Sequence, residues 1–331
     1  MTQPDLSAGS GRILVVVPTL NEEAHVEACL ASLMDEGGPL DVVVADGGSR
    51  DRTRDLVDAM RRRHPNLSLI DNPARVQSAG INAAVAACAA DHDVVVRCDA
   101  HAVYPPGFAL TVAEGLRARG VASLVVPMDA RGRTPFARAA AWIMDTPLGS
   151  GGSAHRGGRR SGFVDHGHHA GMDLGWFRRV GGYDISFSHN EDAELDHRLR
   201  KAGGLIWLDA GIRLDYAMRP TFRSLSRQYW NYGKGRARTL LKHRMRPRLR
   251  QMIPVANLLG MAASLALAPW WPVLLAWPLA YLAVLVAVSA CGAAALRGTA
   301  GLWAGPALLA MHNAWAAGFL WQMARRALGR G

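Results

Sequence analysis

Four short stretches put acids where chemistry can use them. VADGGSRDRT (44–53) closes an apolar run with Asp46, and VVVRCDAHAVY (94–104) closes another with Arg97, Asp99 and His101. PTLNEE (18–23) brings Glu22 to the end of a third, and NEDAELDHRLRKAG (190–203) opens on Glu191 and Asp192. Side chains alternate along an extended chain, so Asp99 and His101 share a face. A carboxylate beside an imidazole can hold a divalent cation or meet a phosphate. Paired acids such as Glu191 and Asp192 can take a proton as general base.

Each stretch also has a plain structural use. Asn21 reads as an N-cap followed by acids in a first helical turn. Gly47 and Gly48 turn the chain, with Ser49 or Asp51 capping the next helix. Asn190 is placed to cap a helix whose Glu194–Arg198 and Asp196–Arg200 pairs stand four apart. The glycines match neither GxGxxG nor a Walker A loop, which argues against nicotinamide and P-loop chemistry. His155, His166, His168 and His169 lack the cysteine or acid spacing of a zinc site and read as polar lining of a pocket. Cys29, Cys88, Cys98 and Cys291 are scattered and read as reduced thiols.

The elements that must carry these ends alternate. RILVVV (12–17), DVVVAD (41–46), LSLI (67–70), DVVVRCD (93–99) and ASLVVPM (122–128) read as strands. Helical patterns follow Asn21, run to about Arg63, cover about 77–90 and lie near 106–118. Continuous Val, Ile and Leu strands between amphipathic helices mean a parallel sheet covered on both faces. Ligands bind such sheets beyond the carboxyl ends of the strands, where Asp46 and Asp99 stand. Residues 129–163 break the pattern, and GSGGSAHRGGRRSG (149–162) reads as a mobile lid or linker. A shorter α/β stretch resumes from Asp173.

The 331 residues carry a net charge of +11, unevenly spread. Arg219 to Arg250 contains eleven Lys or Arg and no acid, while 253–296 has no charged side chain. Two spans joined by Pro269-Trp270-Trp271-Pro272 fit that stretch, with Leu302–Met323 a third candidate. A basic run directly before a span places the preceding domain in the cytoplasm and speaks against nucleic acid as partner. MTQPDLSAGSGR has no hydrophobic region of a cleaved signal. The expected organisation is a disordered tail (1–11), an α/β domain (12–218), a basic juxtamembrane region (219–252), a membrane region of two to three helices (253–324) and a basic tail (325–331).

In this order, VVPTLNEE, VVADGGSRDRT, Asp99-Ala100-His101 and Glu191-Asp192 resemble the motifs of family 2 glycosyltransferases over about Ile13 to Gly235. NPARVQSAGIN (72–82), RCDAHAVYP (97–105), GGYD (181–184) and RQYWNYGKGRA (227–237) look like the exopolysaccharide, succinoglycan-type membrane glucosyltransferase branch. The resemblance implies an α/β GT-A nucleotide-sugar-binding fold, a Rossmann-like, mostly parallel sheet with C-terminal transmembrane helices. It implies a multi-pass inner (plasma) membrane enzyme with a cytoplasmic catalytic domain. That enzyme is an inverting transferase moving a hexose, glucose, from UDP-glucose to a polyprenyl-diphosphate-linked glycan in exopolysaccharide or cell-surface glycan synthesis.

By the same resemblance Pro18, Thr19, Leu20, Glu22, Asp46 and Asp99 hold the donor. Arg75 and Gln77 reach its diphosphate, and Lys234 and Arg236 lie where relatives keep QxxRW-like residues. Asp99 and His101 hold the divalent cation, Mn²⁺ or Mg²⁺; His101 stands where the family has Asp, and imidazole suits Mn²⁺ better. Ile81 stands where the family often has arginine, whose role falls to Arg75. Asp192 is the base with Glu191 beside it. Two alternatives stay open: a catalytically degenerate scaffold of a polysaccharide assembly complex, and a sugar nucleotidyltransferase. The latter would want a glycine-rich basic loop near the first strand, where PTLNEE is acidic.

Overall fold

β1 (Ile13–Thr19) is an unbroken run of aliphatic, mostly β-branched side chains, buried almost throughout. Such a run suits an interior strand with helices on both faces. The structure is a computed structural model that describes residues 11–34, 37–152, 156 and 158–329. The expected tail falls outside them except for Gly11, and so do His155 and Arg330.

Along the chain come α1 (Val26–Met34), β2 (Leu40–Asp46), α2 (Thr53–Arg61), β3 (Leu67–Asp71), α3 (Gln77–Cys88), β4 (Val94–Arg97), α4 (Phe108–Arg119), β5 (Ser123–Val126) and β6 (Met128–Arg131). Next are α5 (Pro135–Met144), α6 (Pro147–Ser150), β7 (Gly162–Phe163), β8 (His168–Asp173), α7 (Leu174–Arg179), α8 (Glu191–Lys201), β9 (Ile206–Leu208) and β10 (Leu214–Ala217). The chain ends in α9 (Phe222–His243), α10 (Leu249–Leu267), α11 (Ala276–Ala295) and α12 (Ala304–Ala327). They divide into two compact units, Met1–Met128 with Gly158–Leu214, and Asp129–Gly157 with Asp215–Gly331.

The first unit is built on an eight-stranded sheet in the order β3-β2-β1-β4-β8-β5-β9-β7. β3, β2, β1 and β4 are parallel, as their apolar runs predict. β8 then enters antiparallel between β4 and β5. Val15, Val17, Val42, Val44 and Val96 face one core with α1, α2 and α4, while Leu14, Val16, Val43 and Val95 face another with α3, α7 and α8. β1 is flanked by β2 on one side and β4 on the other, so the chain changes direction there and a crevice opens beyond the strand ends.

Two expected caps are not formed. The first helix begins at Val26, not behind Asn21; Asn21 takes a left-handed φ of 57° and its Oδ1 accepts the Arg50 N–H at 2.9 Å. Asn190 precedes α8 with φ 68° and makes no side-chain cap bond. At α2 the N-cap position is Arg52, without a side-chain cap bond, and Asp51 just before it accepts the Thr53 N–H on Oδ1 at 3.0 Å.

In the second unit β6 pairs with β10, and α5 lies in the stretch 129–163 that breaks the strand–helix pattern. Thr134 caps α5 by accepting the Ala137 N–H at 3.1 Å. α9 and α12 lie close because Gly233 and Gly318 bring no side chain against the Trp315 and Trp230 carbonyls.

Two to three spans are expected over 253–324. Among the described residues one helical stretch, Pro272–Ala295, is long and apolar enough to cross a membrane. α12, over the third candidate, buries Ala304, Ala307, Leu308, Met311 and Phe319 and is a core helix of its unit. α10 exposes Ile253, Leu259 and Leu265, but Arg250, Gln251 and Asn257 dilute its apolar character.

Candidate active site

Two loops at the carboxyl ends of β1 and β2 are stitched together by hydrogen bonds. The Asn21, Glu22 and Glu23 N–H groups donate to Ser49 Oγ at 2.9 Å, Thr53 Oγ1 at 2.8 Å and Asp51 Oδ2 at 3.1 Å. Glu23 returns the link by accepting the Arg52 N–H at 3.0 Å. Asp46 sits beneath them, its carboxylate accepting the Gly48 and Ser49 N–H groups, Ser49 Oγ, Thr19 Oγ1 and Arg54 Nη1. Burial alone would raise the Asp46 carboxyl, but these bonds hold it below its ordinary value, so it stays ionised. Arg75 stretches over the Gly47–Gly48 turn; a Cβ at Gly48 would stand 3.7 Å from its Nη2. Pro18 is half-buried and Leu20 is exposed on the rim.

Beyond β4 the charges converge on a residue that the sequence motifs do not single out. Arg97 is the last residue of β4 and only 7% exposed. Its Nη1 donates to Asp192 Oδ1 at 2.5 Å, and its Nη2 lies 3.6 Å from Asp99 Oδ1 and 4.0 Å from Glu191 Oε1. Gln77, at the start of α3, donates to Asp99 Oδ1 at 2.6 Å. The Asp99 N–H donates to the Tyr104 hydroxyl at 2.5 Å, which fixes the strand end. Gln77, Asp99, Glu191 and Asp192 are thus gathered around one guanidinium.

The electrostatics separate the two neighbouring acids. Burial would raise the Asp192 carboxyl, but Arg97 and then His169 hold it far below the usual carboxylate range. Burial raises the Glu191 carboxyl, and the charge of Asp192 raises it further. Of the two, Asp192 is the one its surroundings hold ionised.

His169 is not pocket lining, as its sequence context suggests, but a fully buried link. Its Nδ1 lies 2.6 Å from the Tyr183 hydroxyl and 3.3 Å from Asp192 Oδ1, and its Nε2 lies 2.7 Å from Asp196 Oδ1. His166 Nδ1 stands 2.7 Å from Asp196 Oδ2 and reaches the surface. Asp196 does not make its expected pair with Arg200, which bonds Asp165 instead, whereas Arg198 does bind Glu194 as predicted. His168 lies 3.9 Å from Asp99 Oδ2.

The expected cation would find few protein donors. His101 is exposed and its Nδ1 lies 3.6 Å from Glu22 Oε1; that contact holds the Glu22 carboxyl low. Among the described residues no three His, Cys, Asp or Glu side chains form a metal cluster. An ionised Asp99 and an accessible His101 fit a cation that takes its remaining oxygens from a diphosphate and water, the habit of Mg²⁺ in nucleotide sites.

Lys234 and Arg236 lie on α9 in the second unit. Burial, with Arg248 and Arg250 nearby, lowers Arg236 to about 10, and its Nε is buried without a partner. One signal for Arg97 is legible in the sequence, a cation ending an apolar strand. GGYD includes Tyr183 without giving it a role, and the part played by Asp196 is not legible because its partner His169 is distant in the chain.

The family model described as "Glycosyl transferase family 2" matches residues 14–181. The chain is 42% identical over 323 residues to the succinoglycan biosynthesis protein ExoA of Rhizobium meliloti (strain 1021), covering 96% of each. It is 22% identical over 244 residues to a dolichyl N-acetyl-alpha-D-glucosaminyl phosphate 3-beta-D-2,3-diacetamido-2,3-dideoxy-beta-D-glucuronosyltransferase of Methanococcus voltae, 70% of this chain and 74% of that one. The mannosyltransferase PcManGT from Pyrobaculum calidifontis, solved with GDP-Man and Mn²⁺, shares the fold with a TM-score of 0.58 at 21% identity, covering 96% of this chain and 91% of that one.

Proposed function

The chain belongs to glycosyl transferase family 2, and on that footing we propose that it is an inverting hexosyltransferase of exopolysaccharide synthesis. The donor is a nucleotide diphosphate sugar, UDP-glucose, and the acceptor is a sugar carried on a polyprenyl diphosphate in the membrane. The observation that carries this reading is the convergence of Asp99, Glu191 and Asp192 on Arg97. It joins the donor-side strand end to an acid pair from a distant helix, as transfer between two substrates requires. The near full-length likeness to a succinoglycan biosynthesis protein supports the exopolysaccharide role.

In this mechanism Asp46, Thr19 and the Gly47–Gly48 turn receive the nucleotide, with Pro18, Leu20 and Glu22 on the rim and Arg75 toward the diphosphate. Asp99 and His101 would hold a divalent cation, Mn²⁺ or Mg²⁺, which neutralises charge on the departing diphosphate when bound. Asp192 accepts the acceptor hydroxyl's proton as that oxygen bonds the anomeric carbon and the carbon–phosphate oxygen bond breaks on the opposite face. Arg97 keeps Asp192 ionised for that step.

The basic run before α10 and the apolar stretch Pro272–Ala295 support membrane attachment with the catalytic unit on the cytoplasmic side. The test is transfer of radiolabelled glucose from UDP-glucose to extracted membrane lipid by the purified chain in detergent. Neither transfer nor donor hydrolysis with any common nucleotide sugar would leave a degenerate scaffold as the reading.

A further inference from the structure

A second polar cluster lies in the other unit and shares no residue with the site around Arg97. Arg156 stacks over the Tyr216 ring of β10, its guanidinium carbon 5.2 Å from the ring centroid. Its Nη1 lies 3.5 Å from Met144 Sδ, and it also hydrogen-bonds Tyr232 of α9. Among the described residues no carboxylate pairs with it. Arginines drawn out of water are ordinarily paired, because a desolvated cation without an anion is costly. The aromatic face offsets part of that cost.

The hydrogen bonding around it is incomplete in one direction. Gln228 Nε2 lies 2.5 Å from the Tyr216 hydroxyl and 3.0 Å from the Tyr232 hydroxyl, while Gln228 Oε1 is buried with no partner. Reversing the amide would satisfy Oε1 and orphan Nε2 instead, so one end of Gln228 stays unused either way. In the first orientation the Tyr232 oxygen accepts from both Gln228 and Arg156. Tyr216 and Tyr232 also hydrogen-bond each other, which uses one of the two phenol protons and leaves the other to be donated. The cluster offers a guanidinium and one phenol O–H group against no fixed negative charge. Tyr229, its ring centroid 5.6 Å from that of Tyr232, extends the flat apolar surface beside them.

We propose that Arg156, Tyr216, Gln228 and Tyr232 form a binding site for the phosphate of an amphiphilic substrate, namely the diphosphate of the polyprenyl-linked acceptor. This rests on the acceptor class of the proposed function. A guanidinium binds phosphate oxygens in its fork, and a phenol donor adds to the shell. The apolar stretch Pro272–Ala295 belongs to the same unit, which suits a ligand whose phosphate is tethered to hydrocarbon.

The experiment uses the full chain in detergent, with farnesyl diphosphate as probe and, separately, UDP-glucose. The parent should bind farnesyl diphosphate saturably. Arg156→Gln should weaken that roughly tenfold or more, the scale of one charge-assisted bond, and leave UDP-glucose binding unchanged. Tyr232→Phe, which keeps the ring and its packing, should weaken it less. Arg156→Lys should recover only part, since it keeps charge without the fork. No farnesyl diphosphate binding by the parent, or equal binding by Arg156→Gln, overturns the site. Equal competition by phosphatidylglycerol vesicles makes it a phospholipid headgroup site and overturns the acceptor assignment. A parent that binds farnesyl diphosphate but no nucleotide sugar sinks the transferase reading and spares the phosphate site.

Discussion

Arg97 and Asp192 meet at 2.5 Å across 95 residues of sequence, a buried cation at the end of β4 against an acid in the first turn of α8. Removing one partner of such a pair leaves the other charge desolvated. Arg97→Gln should therefore cost roughly 3–5 kcal/mol, read as a fall in urea midpoint. Adding Asp192→Asn to that variant should return part of the loss, since the two effects share one interaction. A double variant as unstable as the sum of the singles would mean that the pair is not coupled.

Asp192→Asn keeps shape and removes the proton acceptor. Transfer should fall by roughly 10² to 10⁴ while donor affinity holds. The rate–pH profile sharpens the assignment. Asp192 is lowered and Glu191 raised, so a base at Asp192 keeps its activity as pH falls through the ordinary carboxylate range. An acid limb above that range, abolished in Glu191→Gln, would hand the role to Glu191.

His169 offers a second pH signature. Burial opposes its charge, yet Asp196 and Asp192 overcome it and raise its pKa above 6.5. The folded state thus binds the proton more tightly than the unfolded one. Its contribution to stability is full below about pH 6.5, the unfolded value, and is lost as pH rises through the raised folded value. The parent's urea midpoint should decline on that alkaline side, and His169→Gln should flatten the decline. Equal slopes in the two proteins would show His169 neutral throughout.

Extensive dialysis against EDTA should abolish transfer, and Mn²⁺ should restore it at least as well as Mg²⁺. Full activity in EDTA would leave His101 a surface histidine beside Glu22.

The chain should remain in the pellet when membranes are washed with alkaline carbonate, held by Pro272–Ala295. Recovery of the whole chain in the supernatant would show that this helix does not cross the bilayer.

The parallel half of the sheet is readable from sequence because its strands are nearly pure Val, Ile and Leu, and such runs have one stable environment. Asp46 and Asp99 are readable because they end those runs. The caps mislead for a tertiary reason: Asn21 spends its side chain on Arg50 of another loop, a competition no local pattern reveals. α5 escapes notice because it is short and stands between stretches that break the strand–helix alternation. α12 resembles a span because apolar composition does not say whether the neighbour is lipid or, as in this protein, α9 and α5. The histidine link is hidden because Asp196 has an equally good partner four residues away.

β8 enters the sheet against the direction of its neighbours, and its opening residues, His168 and His169, therefore arrive where β4 finishes. The two sides of the reaction centre are thus written in separate stretches of the gene, one before Tyr104 and the other after Asp165. On the proposed mechanism, exchange of the later stretch alters the acceptor side and leaves the nucleotide cradle of the earlier one in place. A chimaera carrying residues 164–200 of a relative should change acceptor while keeping its donor affinity; loss of donor binding in a folded chimaera would show that the two stretches are not independent.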